Sequence, residues 1–179
     1  MQNETVIAGF GGQGVLFIGK VMAYAALFED LKVTWFPSYG PEMRGGTANC
    51  TVVISDEEIG SPQVQHSRAI IVMNQPSLDK YENQVAPDGY LVINTSMVNR
   101  KAVRTDIHVL EIPATELAEE LGDKRLANTI MLGALMAKAK FLKTENVIKG
   151  LEESLSHGKK DLVEINKKAM QKGAAYVAG

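Results

Sequence analysis

Cysteine is nearly absent: Cys50 is the only one in 179 residues. A lone thiol forms no internal disulfide, builds no cysteine-rich zinc site and ligates no iron–sulfur cluster, so redox chemistry has to be carried by something other than this chain. Histidine is scarce too. His66, His108 and His157 lie far apart without metal-ligand spacing, which reads them as surface or satisfied core residues. Neither G-x-S-x-G nor a P-loop lysine motif occurs. Charge of one sign is also missing, since 19 basic residues against 21 acidic ones leave a net charge of -2. That excludes a broad nucleic-acid binder, which needs a concentrated positive face to displace counterions from phosphates. The longest apolar run, Val15 to Phe28, is interrupted by Lys20 and falls short of the roughly 20 residues that cross a bilayer. No membrane association is expected. The opening MQNETVIAGF has no charged segment ahead of an apolar stretch and cleavage site, so the expected address is cytoplasmic.

What remains is an ordinary soluble composition, 45% hydrophobic and 22% charged, in a length that suits one domain covering residues 1–179. Thr5 to Ala8 is a short apolar, β-prone run. It leads into Gly9-Phe10-Gly11-Gly12-Gln13-Gly14 and then into a long stretch broken only by Gly19, which reads as strand, tight turn and helix. That helix is apolar on nearly every face, so it meets either a partner chain or a C-terminal helix of its own chain. Further strands are expected at Lys32 to Phe36, Thr47 to Ile54, Ala69 to Met73, Tyr90 to Ile93 and Ile107 to Ile112, with Asp88-Gly89 marking a turn before the fifth of the six. Helical patterns cover Thr115 to Leu121, Asn128 to Leu142, Thr144 to Leu155 and Leu162 to Val177. The alternation predicts an α/β domain, a Rossmann-like, mainly parallel sheet with helices on both faces, in which the third strand follows too closely for a crossover and fits an antiparallel position.

In such sheets ligands sit beyond the carboxyl ends of the strands. The residues expected there are Gly9 to Gly14, Pro37-Ser38-Tyr39, Asn74-Gln75, Asn94-Thr95-Ser96 and Pro113-Ala114-Thr115, polar or glycine almost throughout. Gly9, Gly11 and Gly14 satisfy G-x-G-x-x-G between strand and helix, where helix N–H groups can face a phosphate; the alternative is that the glycines only pack helix against strand. An acidic residue to hold a ribose hydroxyl is missing near Trp35-Phe36-Pro37, which disfavours NAD. Gln13 either orients a ligand or caps the loop. A second constellation, Ser38-Tyr39-Gly40-Pro41-Glu42-Met43-Arg44-Gly45-Gly46, presents one arginine beside two glycines. Its guanidinium fork suits a phosphate, a carboxylate or a partner's acidic side chain. The alternative is an intersubunit loop with a Glu42–Arg44 surface pair. The acidic group Glu111, Glu116, Glu119, Glu120 and Asp123 and the late lysines Lys159, Lys160, Lys167, Lys168 and Lys172 read as solvated faces, and Asn128-Thr129 as a helix cap.

The glycine turn after the first strand, the Ser38 to Gly46 segment after the second, Asp88-Gly89, and Asn128-Thr129-Ile130-Met131-Leu132-Gly133 in a late helix together resemble the gamma subunits of the 2-oxoacid:ferredoxin (acceptor) oxidoreductases, over essentially the whole chain. The wording of Pro37 to Arg44 is most similar to the 2-oxoglutarate type. The resemblance implies a multisubunit enzyme that decarboxylates a 2-oxoacid on thiamine diphosphate, sends electrons through iron–sulfur clusters to ferredoxin and releases acyl-CoA. It places the thiamine diphosphate and the clusters in partners, namely alpha and beta thiamine-binding subunits and a ferredoxin-like subunit. The chain alone is then inactive, without catalytic or metal-binding residues, and can form a homodimer when isolated. The resemblance further implies a role in coenzyme A binding, for which the candidate residues are Gly11, Gly12, Gln13, Gly14, Ser38, Arg44 and Gly45. A free-standing nucleotide-binding domain and a ligand-free assembly scaffold are the competing readings.

Overall fold

A computed structural model describes residues 2–39, 46–61, 64–155 and 160–179. Six strands form one sheet: β1 (Gln2–Phe10), β2 (Lys32–Tyr39), β3 (Thr47–Ser55), β4 (Ser67–Val72), β5 (Val85–Asn94) and β6 (His108–Ile112), in the order β2-β3-β1-β4-β5-β6. The strands β1, β4, β5 and β6 run parallel. β3 runs antiparallel to both β1 and β2, as its short connection requires. The connection from β1 through α1 leads to β2 on one side of it, and the connection from β3 leads to β4 on its other side. The strand order therefore reverses beside the carboxyl end of β1, where open sheets of this kind hold ligands.

Alternation along the strands divides two cores. Ile7, Cys50, Val52, Ile71 and Val92 face a layer built from α1 (Val15–Leu27), α3 (Ala114–Glu120), α4 (Ala127–Ala139), α5 (Thr144–Ser154) and α6 (Lys160–Ala178). On the opposite face Val6, Ala8, Ile70, Val72, Leu91 and Ile93 are covered by Leu78 and Tyr81 of α2 (Gln75–Tyr81) and by Val98. α2 has no counterpart among the predicted helices because seven residues show little periodicity; local chemistry forms it, with Pro76 in its first turn and Asn74 Oδ1 accepting from Ser77 N at 3.0 Å. The all-round apolar α1 is covered by α5 of its own chain, so the second of the two readings holds for it.

α4 and α6 cross at Gly133 and Gly173. A Cβ on Gly133 would overlap the Met170 carbonyl, and one on Gly173 the Ile130 carbonyl, so the two backbones touch reciprocally. Three sequence expectations shift. Asp88-Gly89 lies inside β5 as an irregularity, with Asp88 at φ 60° and the register slipping between Ser67 and Ala69 on the neighbouring strand, rather than as a turn before it. β2 runs on to Tyr39, paired with Ala48, which keeps Pro37 and Ser38 within the strand; proline is tolerated there because β2 is an edge. α4 stops at Ala139 and Lys140 turns left-handed at φ 53°.

Two of the late lysines form ion pairs, and Lys159 lies outside the described residues. Lys167 bridges Glu152 at 2.7 Å and Glu164 at 3.3 Å, and Lys172 reaches Glu120 at 2.5 Å. No helix among the described residues is long and apolar enough to cross a membrane.

Candidate functional site

The glycine turn is anchored from three directions. Gly11 N donates to Gly46 O at 2.9 Å and Gln13 N to Phe10 O at 3.1 Å. The Gln13 side chain points back into the protein: its Oε1 accepts from Phe10 N at 2.6 Å and from Asn74 Nδ2 at 3.2 Å, and its Nε2 donates to Met73 O at 3.4 Å. Gln13 thus fastens the turn to the end of β4, which matches the loop-capping alternative. The third anchor is Asn128 on α4, whose Nδ2 donates to Gly14 O at 3.0 Å. Gly14 is left-handed, at φ 72° and ψ 26°, and a Cβ there would collide with the Asn128 amide. Both demands select glycine.

With the N–H groups of Gly11 and Gln13 engaged inside the protein, the turn's other backbone donors are those of Gly12, Gly14 and the first turn of α1, whose N–H groups have no intrahelical acceptor. Of these, Gly12 borders a cleft of about 320 Å³ lined by Gly12, Gln13, Met73, Met97, Thr115, Glu119, Lys124, Arg125 and Ala127. The N-terminal ends of α3 and α4 reach it, each contributing partial positive charge, and the 3-10 turn Lys124–Leu126 adds Lys124 and an Arg125 paired with Asp123. Arg125 is held by Asp123, with Nη2 to Oδ2 at 2.7 Å and Nε to Oδ1 at 3.0 Å, while Asp123 Oδ1 also takes Arg125 N at 2.9 Å. The Arg125 bonds hold the Asp123 carboxyl below the usual carboxylate range. Glu119 supplies the opposing charge on the cleft wall. The chemistry offered is binding of an anionic group against a partly apolar floor of Met73 and Met97.

Of the residues expected at this site, Gly11, Gly12, Gln13 and Gly14 come together in the turn. Ser38 is exposed and sits opposite Asn49, which in turn pairs with Ala8. It therefore lies at the same sheet edge, but two strands from β1, roughly 10 Å away at normal strand spacing. Arg44 and Gly45 lie outside the described residues. The polar strand ends are largely occupied by structural work: Asn94 Oδ1 accepts from Ala114 N at 3.1 Å, and its Nδ2 donates to Thr115 Oγ1 at 3.1 Å. Lys124 and Arg125 escaped sequence reasoning because a Lys-Arg pair in a mixed-charge surface carries no spacing signal. Asn128 was expected to cap its helix, but it lies inside α4, whose N-cap is Leu126. Its reach to Gly14 crosses 114 positions of sequence, which no local pattern reveals.

The family described as pyruvate ferredoxin/flavodoxin oxidoreductase matches residues 4–176. The chain belongs to that family. It is 40% identical over 170 residues to the ketoisovalerate oxidoreductase subunit VorA of Methanothermobacter marburgensis, covering 95% of this chain and 35% of the relative. The chain thus spans about a third of that relative's length. It is 34% identical to the 2-oxoglutarate synthase subunit KorC of Methanocaldococcus jannaschii, covering 93% of this chain and 92% of KorC. Among solved structures, the gamma subunit of a keto/oxoacid ferredoxin oxidoreductase from Geobacter sulfurreducens superposes with a TM-score of 0.86 at 28% identity, over 99% of this chain and 97% of that one. The resemblance to gamma subunits drawn from the motifs holds, and so does the α/β fold with its mainly parallel sheet.

Proposed function

We propose that this chain is the gamma-type subunit of a multisubunit 2-oxoacid:ferredoxin oxidoreductase, converting a 2-oxoacid and coenzyme A to an acyl-CoA and CO2 while ferredoxin takes up the electrons. The observation that carries the reading is the end-to-end likeness to KorC and to the Geobacter gamma subunit, combined with a cation-rimmed cleft at the strand-order reversal. Thiamine diphosphate and iron–sulfur clusters belong to the alpha, beta and ferredoxin-like partners, and this chain contributes no catalytic group. Leu27, Phe28 and Phe36, at 55%, 46% and 57% exposure, are large apolar side chains available for packing against them.

Coenzyme A supplies the thiol that carries the acyl group away. The role assigned to this chain is to hold its phosphate-bearing end: the glycine turn at Gly12 and the side chains of Lys124 and Arg125 bind the anion, and Met73 and Met97 provide apolar contact. Glu119 disfavours a second anion on the same wall. Ser38, Arg44 and Gly45 stay as further candidates for coenzyme A binding on the resemblance alone.

The oxoacid read here is 2-oxoglutarate, on the likeness to KorC over 93% of this chain and 92% of that relative. The 40% identity to VorA favours a branched-chain oxoacid as the second reading. A relative from Thermococcus litoralis is a gamma subunit common to pyruvate and ketoisovalerate oxidoreductases, which supports leaving substrate choice to partner chains. The test is Arg125→Ala in the assembled complex. Its kcat/KM for coenzyme A should fall about tenfold, while that for the oxoacid stays within about twofold. An unchanged value for coenzyme A would remove the cleft from the reading.

A further inference from the structure

We propose that a second cavity, on the far side of Arg125 from the cleft, holds the adenine end of coenzyme A, with Asn166 as the residue that reads the base; the proposal rests on the reading of the cleft as the coenzyme A site. The second cavity, of about 290 Å³, lies between the start of α1 and the facing parts of α4, α6 and the end of α5. Gly12 and Arg125 line both cavities, so the two are neighbours across one shared wall. Gly12 is left-handed at φ 93°, and a Cβ there would meet nothing within 4 Å, which leaves the wall open at that point.

The lining of the second cavity differs from that of the cleft. Phe17, Leu126, Leu155 and Leu162 give it apolar walls with one aromatic ring, and Asn128 and Asn166 are its buried amides, at 5% and 8% exposure. Ligand pockets take this form, an apolar lining with a few fixed polar groups. Asn128 is largely engaged, by Gly14 O and by Thr129. Asn166 is not. Its Oδ1 accepts from Thr129 Oγ1 at 2.8 Å and its Nδ2 donates to Leu162 O at 2.8 Å, which leaves one N–H and one acceptor position without a partner among the described residues. A donor and an acceptor on one amide match the N7 acceptor and N6 donor on the edge of adenine, and the space beside Phe17 suits a stacked base.

The order of the two cavities follows from the reaction. The thiol of coenzyme A has to reach a partner chain, so the base is the end that can stay inside this one. Arg125 stands between the two. Asp123 takes its Nε and Nη2, and Nη1 keeps its donors for a phosphate. With the base beyond Arg125 and the phosphates beside it, the thiol-bearing arm leaves through the cleft past Met73 and Met97.

Leu162→Trp tests this in the assembled complex, because Leu162 is 41% exposed and a larger side chain there can fill the cavity without entering the core. The probes are the two halves of the coenzyme, adenosine bisphosphate and phosphopantetheine, each as an inhibitor competing with coenzyme A. The inhibition constant of adenosine bisphosphate should rise about tenfold, while that of phosphopantetheine and the kcat/KM for the oxoacid stay within about twofold. Exchanging adenine for hypoxanthine in the bisphosphate should weaken inhibition of the parent about tenfold, and Asn166→Ala should remove that difference. Equal rises for the two halves in Leu162→Trp mark a structural effect and overturn the proposal. So do unchanged constants in Leu162→Trp when Arg125→Ala lowers kcat/KM for coenzyme A, which leaves the cleft reading standing. If Arg125→Ala changes nothing either, the cleft reading falls and takes this proposal with it. Should Leu162→Trp not assemble, the hypoxanthine comparison in Asn166→Ala decides alone, and failure of both variants to assemble overturns the proposal too.

Discussion

At the scale of single residues, burial decides what a group can do. Cys50 is fully buried beneath α1, and its Sγ donates to Val15 O at 3.4 Å. Burial pushes its thiol up to about 12, a Trp35 contact offsetting this only in part. At pH 8 the thiolate fraction is then about one in ten thousand. Cys50 should resist a thiol reagent in the native protein and react fully once unfolded, and a fast native reaction would show that the site is open. Glu82 is the opposite case, a carboxylate 3% exposed. Burial alone would raise it, but Arg100 at 2.8 Å and the N–H groups of Val103 at 2.5 Å and Arg104 at 3.1 Å outweigh that and hold it below the usual range. A depressed carboxyl contributes stability that is present above its unfolded pKa and lost as pH falls through its lower folded value. Glu82→Gln should therefore cost about 2–3 kcal/mol at neutral pH, because it leaves Arg100 short of its partner. Urea titrations should show that difference shrinking toward acid pH.

At the scale of elements, the reciprocal contact of Gly133 and Gly173 sets the spacing of α4 and α6. Alanine at Gly173 would gain about 1 kcal/mol of helix propensity, yet its Cβ meets backbone that cannot rotate away. Overpacking should win, lowering stability by about 3 kcal/mol in thermal unfolding; an unchanged melting temperature would mean that the helices slide apart freely. The elements legible from sequence are those with period and punctuation of their own. The strand, turn and helix from Thr5 to Phe28 are marked by apolar runs around glycines, and the antiparallel β3 by a connection too short for a crossover. What stayed hidden depends on partners distant in sequence. α2 is fixed by Asn74 and a proline rather than by periodicity, and the Asp88 irregularity exists only relative to β4. The cleft was legible as far as its glycines, which sit between strand and helix. Lys124, Arg125 and the reach of Asn128 depend on bringing the α3–α4 junction against β1, which only the folded sheet order does.

At the scale of the whole molecule, the features with chemical potential gather at one edge of the sheet. Helix N-termini, a glycine turn and two basic side chains meet there, while the described residues offer neither a reactive thiol nor a histidine pair. That distribution suits a subunit that binds and positions within an enzyme whose redox groups reside elsewhere. The most direct test is anaerobic affinity purification of the tagged chain from its own cells, with mass spectrometry of co-purifying chains and an assay of 2-oxoacid-dependent viologen reduction with and without coenzyme A. The expected result is recovery with thiamine diphosphate-containing and ferredoxin-like chains, and viologen reduction that requires an oxoacid and coenzyme A. A stable chain recovered alone, with no such activity in the eluate, would contradict the assignment.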